Sequence, residues 1–351
     1  MKTAVIIAAR NEARDIAKTL ASIGAGVDVF VASDNSTDRT FTIAKYFTNH
    51  VIQVERGGKG RSLRALMEHY DLLNEYDALI MLDADTIMAP GAIAAFEEAL
   101  VPGVAGVTGN IQCLPGNFFA SWRAISYLNM RLFYRDGMAA LNCIHVMCGT
   151  CSIWSTAALK QIPMRDNPVE DMLYTYEIHR RKLGKIGFAK KAIVYTQEPT
   201  RLGDYSRQML RWLRGYWGVT AEFGTPFGWQ SLDLGQAFII GQFTLSALCL
   251  VSLLFWPLLG NWRWVPLTSI GIEVGVISAL AFIADFRGAS FKRIAYLWLY
   301  PVMYIYDQLL NFYAFATHRK LTSGVWVSPQ RKDNTCTVVA ASASSGFSSS
   351  S

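Results

Sequence analysis

The chain has 351 residues, a formal net charge of +6 at pH 7, 52% hydrophobic residues and only 17% charged ones. That is too apolar for an ordinary soluble enzyme, and the modest charge, with no nucleic-acid motif, argues against nucleic acid as a partner. The apolarity is uneven: residues 1–233 mix charged and apolar positions as a globular domain does, whereas 234–316 are dominated by Leu, Ile, Val, Phe, Trp and Gly.

Met1-Lys2-Thr3 leads straight into Ala4-Val5-Ile6-Ile7-Ala8. That run is too short for a secretory h-region and reads as a buried strand, so the first domain is expected to stay in the cytosol. Short β-branched runs predict strands at 3–9, 28–33, 50–54, 77–82 and 104–111, with helices at 12–24, 38–47, 60–73 and 90–100. This alternation predicts an α/β domain with a mainly parallel sheet and helices on both faces. Ligands in such sheets bind at the carboxyl ends of the strands. A helix over 117–137 carries an apolar stripe (Phe118, Trp122, Ile125, Leu132) and three cations (Arg123, Arg131, Arg135). It reads as a core helix or as one lying in a membrane interface. A strand near Thr150–Trp154, a helix near 171–183 and a second interfacial helix near 202–218 complete the first domain, 1–233.

The run Leu234–Trp262 contains no charged residue and exceeds the roughly 20 residues needed to span a bilayer. Trp264–Ala284 is interrupted only by Glu273, and Ile294–Thr317 holds Asp307, Pro301 and many interface-favouring aromatics. The region 234–317 is therefore expected to hold spans at about 234–260 and 264–284 and a third segment, 294–317, that spans or lies in the interface. The positive-inside rule favours a cytosolic loop at Arg287, Lys292 and Arg293, and disfavours sending His318-Arg319-Lys320 outside. Lys292, Arg293, Arg319, Lys320, Arg331 and Lys332 suit anionic headgroups. The tail, 318–351, is basic and then Ser-rich, and is expected to be disordered from about 340. Six cysteines stand at 113, 143, 148, 151, 249 and 336; Cys148-Gly-Thr-Cys151 has half the spacing of a zinc site but no second pair, so reduced thiols are expected.

Asp83-Ala84-Asp85 follows a buried strand. In an extended segment residues two apart share a side, so both carboxylates would face one site, where a hard divalent cation could bind them together with substrate phosphates. A solvated turn is the competing reading. Asp34-Asn35-Ser36-Thr37-Asp38 ends one strand and opens a helix. Thr37 or Asp38 would cap that helix, leaving Asp34 to accept hydrogen bonds from a base or ribose. Gly57-Gly58-Lys59-Gly60-Arg61 lacks the Walker spacing but precedes a helix, and is either a phosphate-facing turn or a plain loop. Glu170-Asp171 stands at a helix start, where acids stabilise the terminus or where Asp171 could act as a general base. Gln208, Arg211 and Trp212 are spaced i, i+3 and i+4 on one helix face, with Arg207 and Arg214 alongside. An amide, a guanidinium and an indole there suit a diphosphate and a stacked sugar ring; a helix on anionic lipid would explain the arginines but not Gln208.

Taken in order, Asn11-Glu12, Asp34, Lys59, Asp83-Ala84-Asp85, Glu170-Asp171 and Gln208-Met209-Leu210-Arg211-Trp212 resemble the family 2 glycosyltransferases, especially the membrane-bound synthases of cellulose, chitin, hyaluronan and poly-N-acetylglucosamine. The resemblance implies a GT-A fold, a nucleotide-diphosphate sugar donor (most often UDP), Mg2+ or Mn2+, and inversion at the anomeric carbon. It further implies that Asn11, Glu12, Asp34, Lys59 and Asp83 meet the donor, Asp85 with Asp83 the metal, and that Asp171 with Glu170 forms the catalytic pair. Gln208, Arg211 and Trp212 would close over the diphosphate and the acceptor, a growing β-linked glycan or a lipid. Val169 stands where Thr often precedes the acidic pair, and Ala8-Ala9-Arg10 replaces a common Pro-containing turn. The expectation is an integral membrane enzyme with its catalytic domain in the cytosol.

Overall fold

The computed structural model describes residues 1–114, 116–288 and 294–320. The basic pair Lys292-Arg293 and the tail with Arg331, Lys332, Cys336 and the Ser-rich end lie outside the described residues.

Eight strands form one sheet: β1 (Thr3–Ala9), β2 (Asp28–Asp34), β3 (Val51–Val54), β4 (Ala78–Asp83), β5 (Ile87–Met88), β6 (Val104–Cys113), β7 (Cys151–Ser155) and β8 (Lys185–Thr196). Their order is β3-β2-β1-β4-β7-β6-β8-β5. The first four strands pair in parallel, as expected from their short apolar runs, which are largely buried in β1, β2 and β4. The expectation of a mainly parallel sheet fails beyond β4: β7 runs antiparallel to both β4 and β6, and β5 antiparallel to β8, so the sheet is mixed. Strand β8, parallel to β6, escaped the sequence reading because Gly187 and the exposed Lys190-Lys191 interrupt its pattern.

Nine helices belong to the α/β part among the described residues: α1 (Ile16–Ile23), α2 (Thr40–Phe47), α3 (Lys59–His69), α4 (Leu72–Glu75), α5 (Ala92–Ala99), α6 (Phe118–Asn129), α7 (Arg135–Ala140), α8 (Thr156–Leu159) and α9 (Glu170–Arg181). One apolar cluster packs α3, α8 and α9 on one sheet face through Leu63, Leu66, Leu159, Leu173 and Ile178. The other face is covered by α1 and α5 through Ile16, Leu20 and Phe96. Helix α9 suits its dipole, with Glu170 and Asp171 in its first turn and His179, Arg180 and Arg181 in its last.

Four longer helices follow: α10 (Leu202–Glu222), α11 (Ser231–Ser252), α12 (Trp264–Gly288) and α13 (Tyr300–Thr317). Two stretches, Ser231–Trp256 and Gly260–Leu280, are long and apolar enough to cross a membrane. The third segment is docked on α10 by polar bonds: Tyr205 donates to Asp307 at 2.8 Å, Trp217 to Asn311 at 2.9 Å and Arg214 to Thr317 at 3.0 Å. A third apolar cluster joins Trp122 and Ile125 of α6, Tyr205 and Met209 of α10, Leu280 of α12, and Tyr300 and Met303 of α13. The helix expected over 117–137 is split by a π-helical turn at Met130–Tyr134. Two of its three cations turn inward: Arg123 pairs with Glu198 at 3.5 Å, and Arg135 donates to the Val146 carbonyl at 3.0 Å.

Candidate active site

The carboxyl end of β2 places Asp34 against the glycine-rich turn. Its two carboxylate oxygens accept from the backbone N–H groups of Gly57 (2.9 Å) and Gly58 (3.1 Å). Gly58 needs its freedom here, with φ of +84°. The turn delivers Lys59 as the first residue of α3, so sequence motifs that looked separate form one unit.

Lys59 reaches across the sheet edge. Its ammonium donates to Asp83 at the end of β4 and to the Gly149 carbonyl (3.1 Å), and lies 3.6 Å from Glu170. Burial alone would lower its pKa; the charges of Asp83, Glu170 and Asp171 more than offset that and hold it above the ordinary lysine range. Burial pushes the Glu170 carboxyl upward, against the pull of Lys59 and with a further push from Asp171. Asp171 is fixed at both oxygens, by Gly149 N–H (2.8 Å) and its neighbour Met172 N–H (2.8 Å). Gly149 thus serves both charged partners. A Cβ there would stand 2.7 Å from the Lys59 Nζ, so a larger residue would push the ammonium from its place. Nothing in the sequence marks Gly149 apart from its place between Cys148 and Cys151, which are free thiols.

Asp85 is buried, but the extended-segment argument for it does not hold. The strand stops at Asp83 and the chain turns, with Thr86 N–H donating to the Asp83 carbonyl at 3.2 Å. Asp83 is the last residue of the strand and pairs with Lys59, and Asp85 stands two residues on, within 3.4 Å of the Thr86 hydroxyl. No group of three or more His, Cys, Asp or Glu suited to a metal occurs among the described residues. Asp83 and Asp85 could supply two hard oxygens to Mg2+ or Mn2+, with a substrate's phosphates supplying others, a division usual for Mg2+.

Helix α10 roofs this edge. Arg211 donates to the Pro168 carbonyl at 2.8 Å, and its charge acts on Glu170. The Gln208 side-chain oxygen is buried and accepts no hydrogen bond from the described residues. Trp212 lies at the seam of two apolar clusters, with the Arg123 guanidinium 5.1 Å from its ring centroid. Arg123 also covers Tyr127 (4.5 Å), whose hydroxyl donates to Glu198 at 3.1 Å. This buried support was absent from the sequence reading. Gly215 lets α10 approach Val169, the residue before Glu170.

Asp34, Lys59, Asp83, Glu170, Asp171 and Arg211 are thus linked around one edge. Asn11 and Glu12 sit at the carboxyl end of β1, tied to the segment after β2. Asn11 has φ of +52°, and its side chain accepts from Thr37 N–H at 2.8 Å; Glu12 N–H donates to Thr40 at 2.8 Å. The helix is not capped by Thr37 or Asp38 as expected: its N-cap position is Arg39, and Asp38, one residue earlier, accepts from Thr40 N–H at 2.9 Å.

A family model described as "Glycosyltransferase like family 2" matches residues 2–215. No curated protein matches the chain. Among solved structures, the chain is similar to a mannosyltransferase from Pyrobaculum calidifontis in complex with GDP-Man and Mn2+, at 16% identity and TM-score 0.60, over 91% of this chain and 87% of that one. It is also similar to S. aureus TarS 1–349 (17%, 0.43, 91% and 92%). A third likeness is to glucosyl-3-phosphoglycerate synthase from Mycobacterium tuberculosis with Mn2+, UDP-glucose and phosphoglyceric acid (19%, 0.45, 64% and 80%). The first of these likenesses is one of fold: a GT-A-like α/β fold with a mixed sheet.

Proposed function

This chain belongs to glycosyltransferase family 2, and we infer that it is an inverting membrane enzyme that moves a sugar from a nucleotide-diphosphate donor, a UDP-sugar first, to a growing β-linked glycan or a glycolipid. The observation that carries this is the convergence of Lys59, Asp83, Glu170 and Asp171 at one sheet edge beneath Arg211, joined to a region whose helices α11 and α12 keep most of their apolar surface uncovered.

Asp171, steered by Gly149 and Met172, takes the proton from the acceptor hydroxyl. The acceptor oxygen forms its bond to the anomeric carbon as the bond to the diphosphate breaks on the opposite face. Asp83 and Asp85 would hold Mg2+ or Mn2+, which when bound neutralises charge on the diphosphate. Lys59 and Arg211 supply fixed positive charge to the same leaving group. The unpartnered oxygen of Gln208 fits a hydroxyl donor on a ligand, since a buried acceptor left empty is costly. Asp34, Asn11 and Glu12 face the nucleoside end, and the catalytic domain lies on the cytosolic side.

A second reading, transfer of one sugar to a lipid acceptor such as ceramide, diacylglycerol or polyprenyl phosphate, is favoured by the small number of apolar stretches: two of spanning length among the described residues. The full chain in proteoliposomes, given a panel of UDP- and GDP-sugars with Mn2+ or chelator, tests both. Metal-dependent nucleotide release is expected, and labelled-product length separates polymer from single transfer. No release with any donor would overturn the reading.

A further inference from the structure

Lys59 occupies a carboxylate that a divalent cation would need. Its ammonium donates to Asp83 Oδ1 and to the Gly149 carbonyl (3.1 Å), and stands 3.6 Å from Glu170. The Asp83 side chain is still 34% exposed, so a cation from solution can reach it. Two cations drawn to one carboxylate repel each other, and a divalent ion doubles the effect; so little water reaches this edge that screening is weak. The ammonium has little room to withdraw. Its backbone is held, because the N–H groups of Gly57 and Gly58 are bound to Asp34 and because Leu63 and Leu66 seat α3 on the sheet. Only the side chain can turn.

What would release Asp83 follows from the donors of the ammonium, which has three N–H groups and no acceptor. One N–H serves Asp83 and another the Gly149 carbonyl. A metal that takes the Asp83 oxygen strips the first of its acceptor, and a donor left unfilled in a partly buried site is costly. A diphosphate on the same metal brings anionic oxygens to that point. The ammonium can then keep Gly149 and Glu170 and exchange one carboxylate oxygen for one phosphate oxygen. We propose that Lys59 makes metal binding conditional on the nucleotide diphosphate. Without nucleotide it holds Asp83 against a divalent cation; with the diphosphate present it gives that oxygen up and turns to the phosphate. By linkage the metal tightens nucleotide binding by the same factor. The proposal rests on the reading of Asp83 and Asp85 as metal ligands. It gives Lys59 a positioning role before the reaction, in addition to its charge on the leaving group.

The test reads binding and needs no turnover. The full chain in detergent is titrated with Mn2+, and the free ion is followed by electron paramagnetic resonance, alone and with saturating UDP or GDP. In wild type the nucleotide should tighten Mn2+ binding on the order of tenfold or more. In Lys59→Met, Mn2+ without nucleotide should bind on the order of tenfold more tightly than in wild type, and the gain from nucleotide should shrink accordingly. Lys59→Gln, which keeps a donor for Gly149, should behave in the same way and guards against a folding defect in Lys59→Met; thermal unfolding checks both. Mn2+ affinity that is unchanged or lower in both folded variants without nucleotide overturns the proposal alone. So does equal Mn2+ affinity of the wild type with and without nucleotide. No Mn2+ binding to the wild type with either nucleotide overturns the metal-ligand reading, and the proposal with it.

Discussion

Replacing Gly215 with alanine should damage transfer more than it weakens the fold. The new Cβ would stand 2.4 and 2.5 Å from the γ-carbons of Val169 and 3.0 Å from its Cβ. Apolar carbons rest at about 3.5–4.0 Å, so α10 and the start of α9 must part by about 1 Å. Overpacking of this kind costs about 1–3 kcal/mol. The displaced pieces, however, are the helix bearing Gln208, Arg211 and Trp212 and the residue that precedes Glu170 and Asp171. A misplacement of about 1 Å can cost on the order of 10²-fold in rate. Steady-state transfer and thermal unfolding should be measured on the same preparation, with kcat falling by about that factor and Tm only modestly. Val169→Ala removes both γ-carbons and leaves only the Cβ contact, so Gly215→Ala/Val169→Ala should regain much of the loss. A single variant that keeps kcat within about threefold of wild type would refute the claim that this contact sets the geometry.

Asp171→Asn should bind donor and metal normally yet lose about 10²–10⁴-fold in turnover; a loss below tenfold returns the residue to a helix-stabilising role. Asp85→Ala should weaken metal-dependent nucleotide binding, read by calorimetry with and without Mn2+, and an unchanged metal effect contradicts the ligand assignment. Trp212→Ala should lower transfer more than donor hydrolysis, whereas Arg211→Lys, losing bidentate donors, should lower both together; equal losses for Trp212→Ala would reduce it to packing. Arg123→Met strands the buried Glu198 carboxylate and should cost about 3–5 kcal/mol by denaturant unfolding, largely recovered by adding Glu198→Gln; a loss under about 1 kcal/mol would show the pair to be idle.

The parallel half of the sheet was legible because β1, β2 and β4 are short runs buried on both faces, a pattern that composition alone exposes. The acidic motifs were legible by their position after such runs. What stayed hidden was relational. Asp34 and the turn at Gly57-Gly58 are 23 and 24 residues apart, and no local rule says that one holds the other. Gly149 lies 90 residues from Lys59 and 22 from Asp171. Arg123 carries a charge on an amphipathic helix that read equally as core or as interfacial; its carboxylate lies 75 residues on, in an irregular segment after β8. Local periodicity reports which side of an element is apolar, whereas the partner of a buried charge is chosen by tertiary packing.

The division expected at residue 233 also looks different once Asp307 is considered. This carboxylate of α13 accepts from Trp122 of α6 at 2.8 Å and from Tyr205 of α10 at 2.8 Å, beside apolar side chains drawn from both sides of that division. For protein engineering this makes the C-terminal helices a poor interchangeable cassette. A chimera joined at 233 would pair α10 with a foreign α13 lacking its acceptors at 307, 311 and 317, and would leave Tyr205, Trp217 and Arg214 without their bonds. Exchange between relatives should therefore move α6, α10 and α13 together, with the catalytic sheet as the portable part.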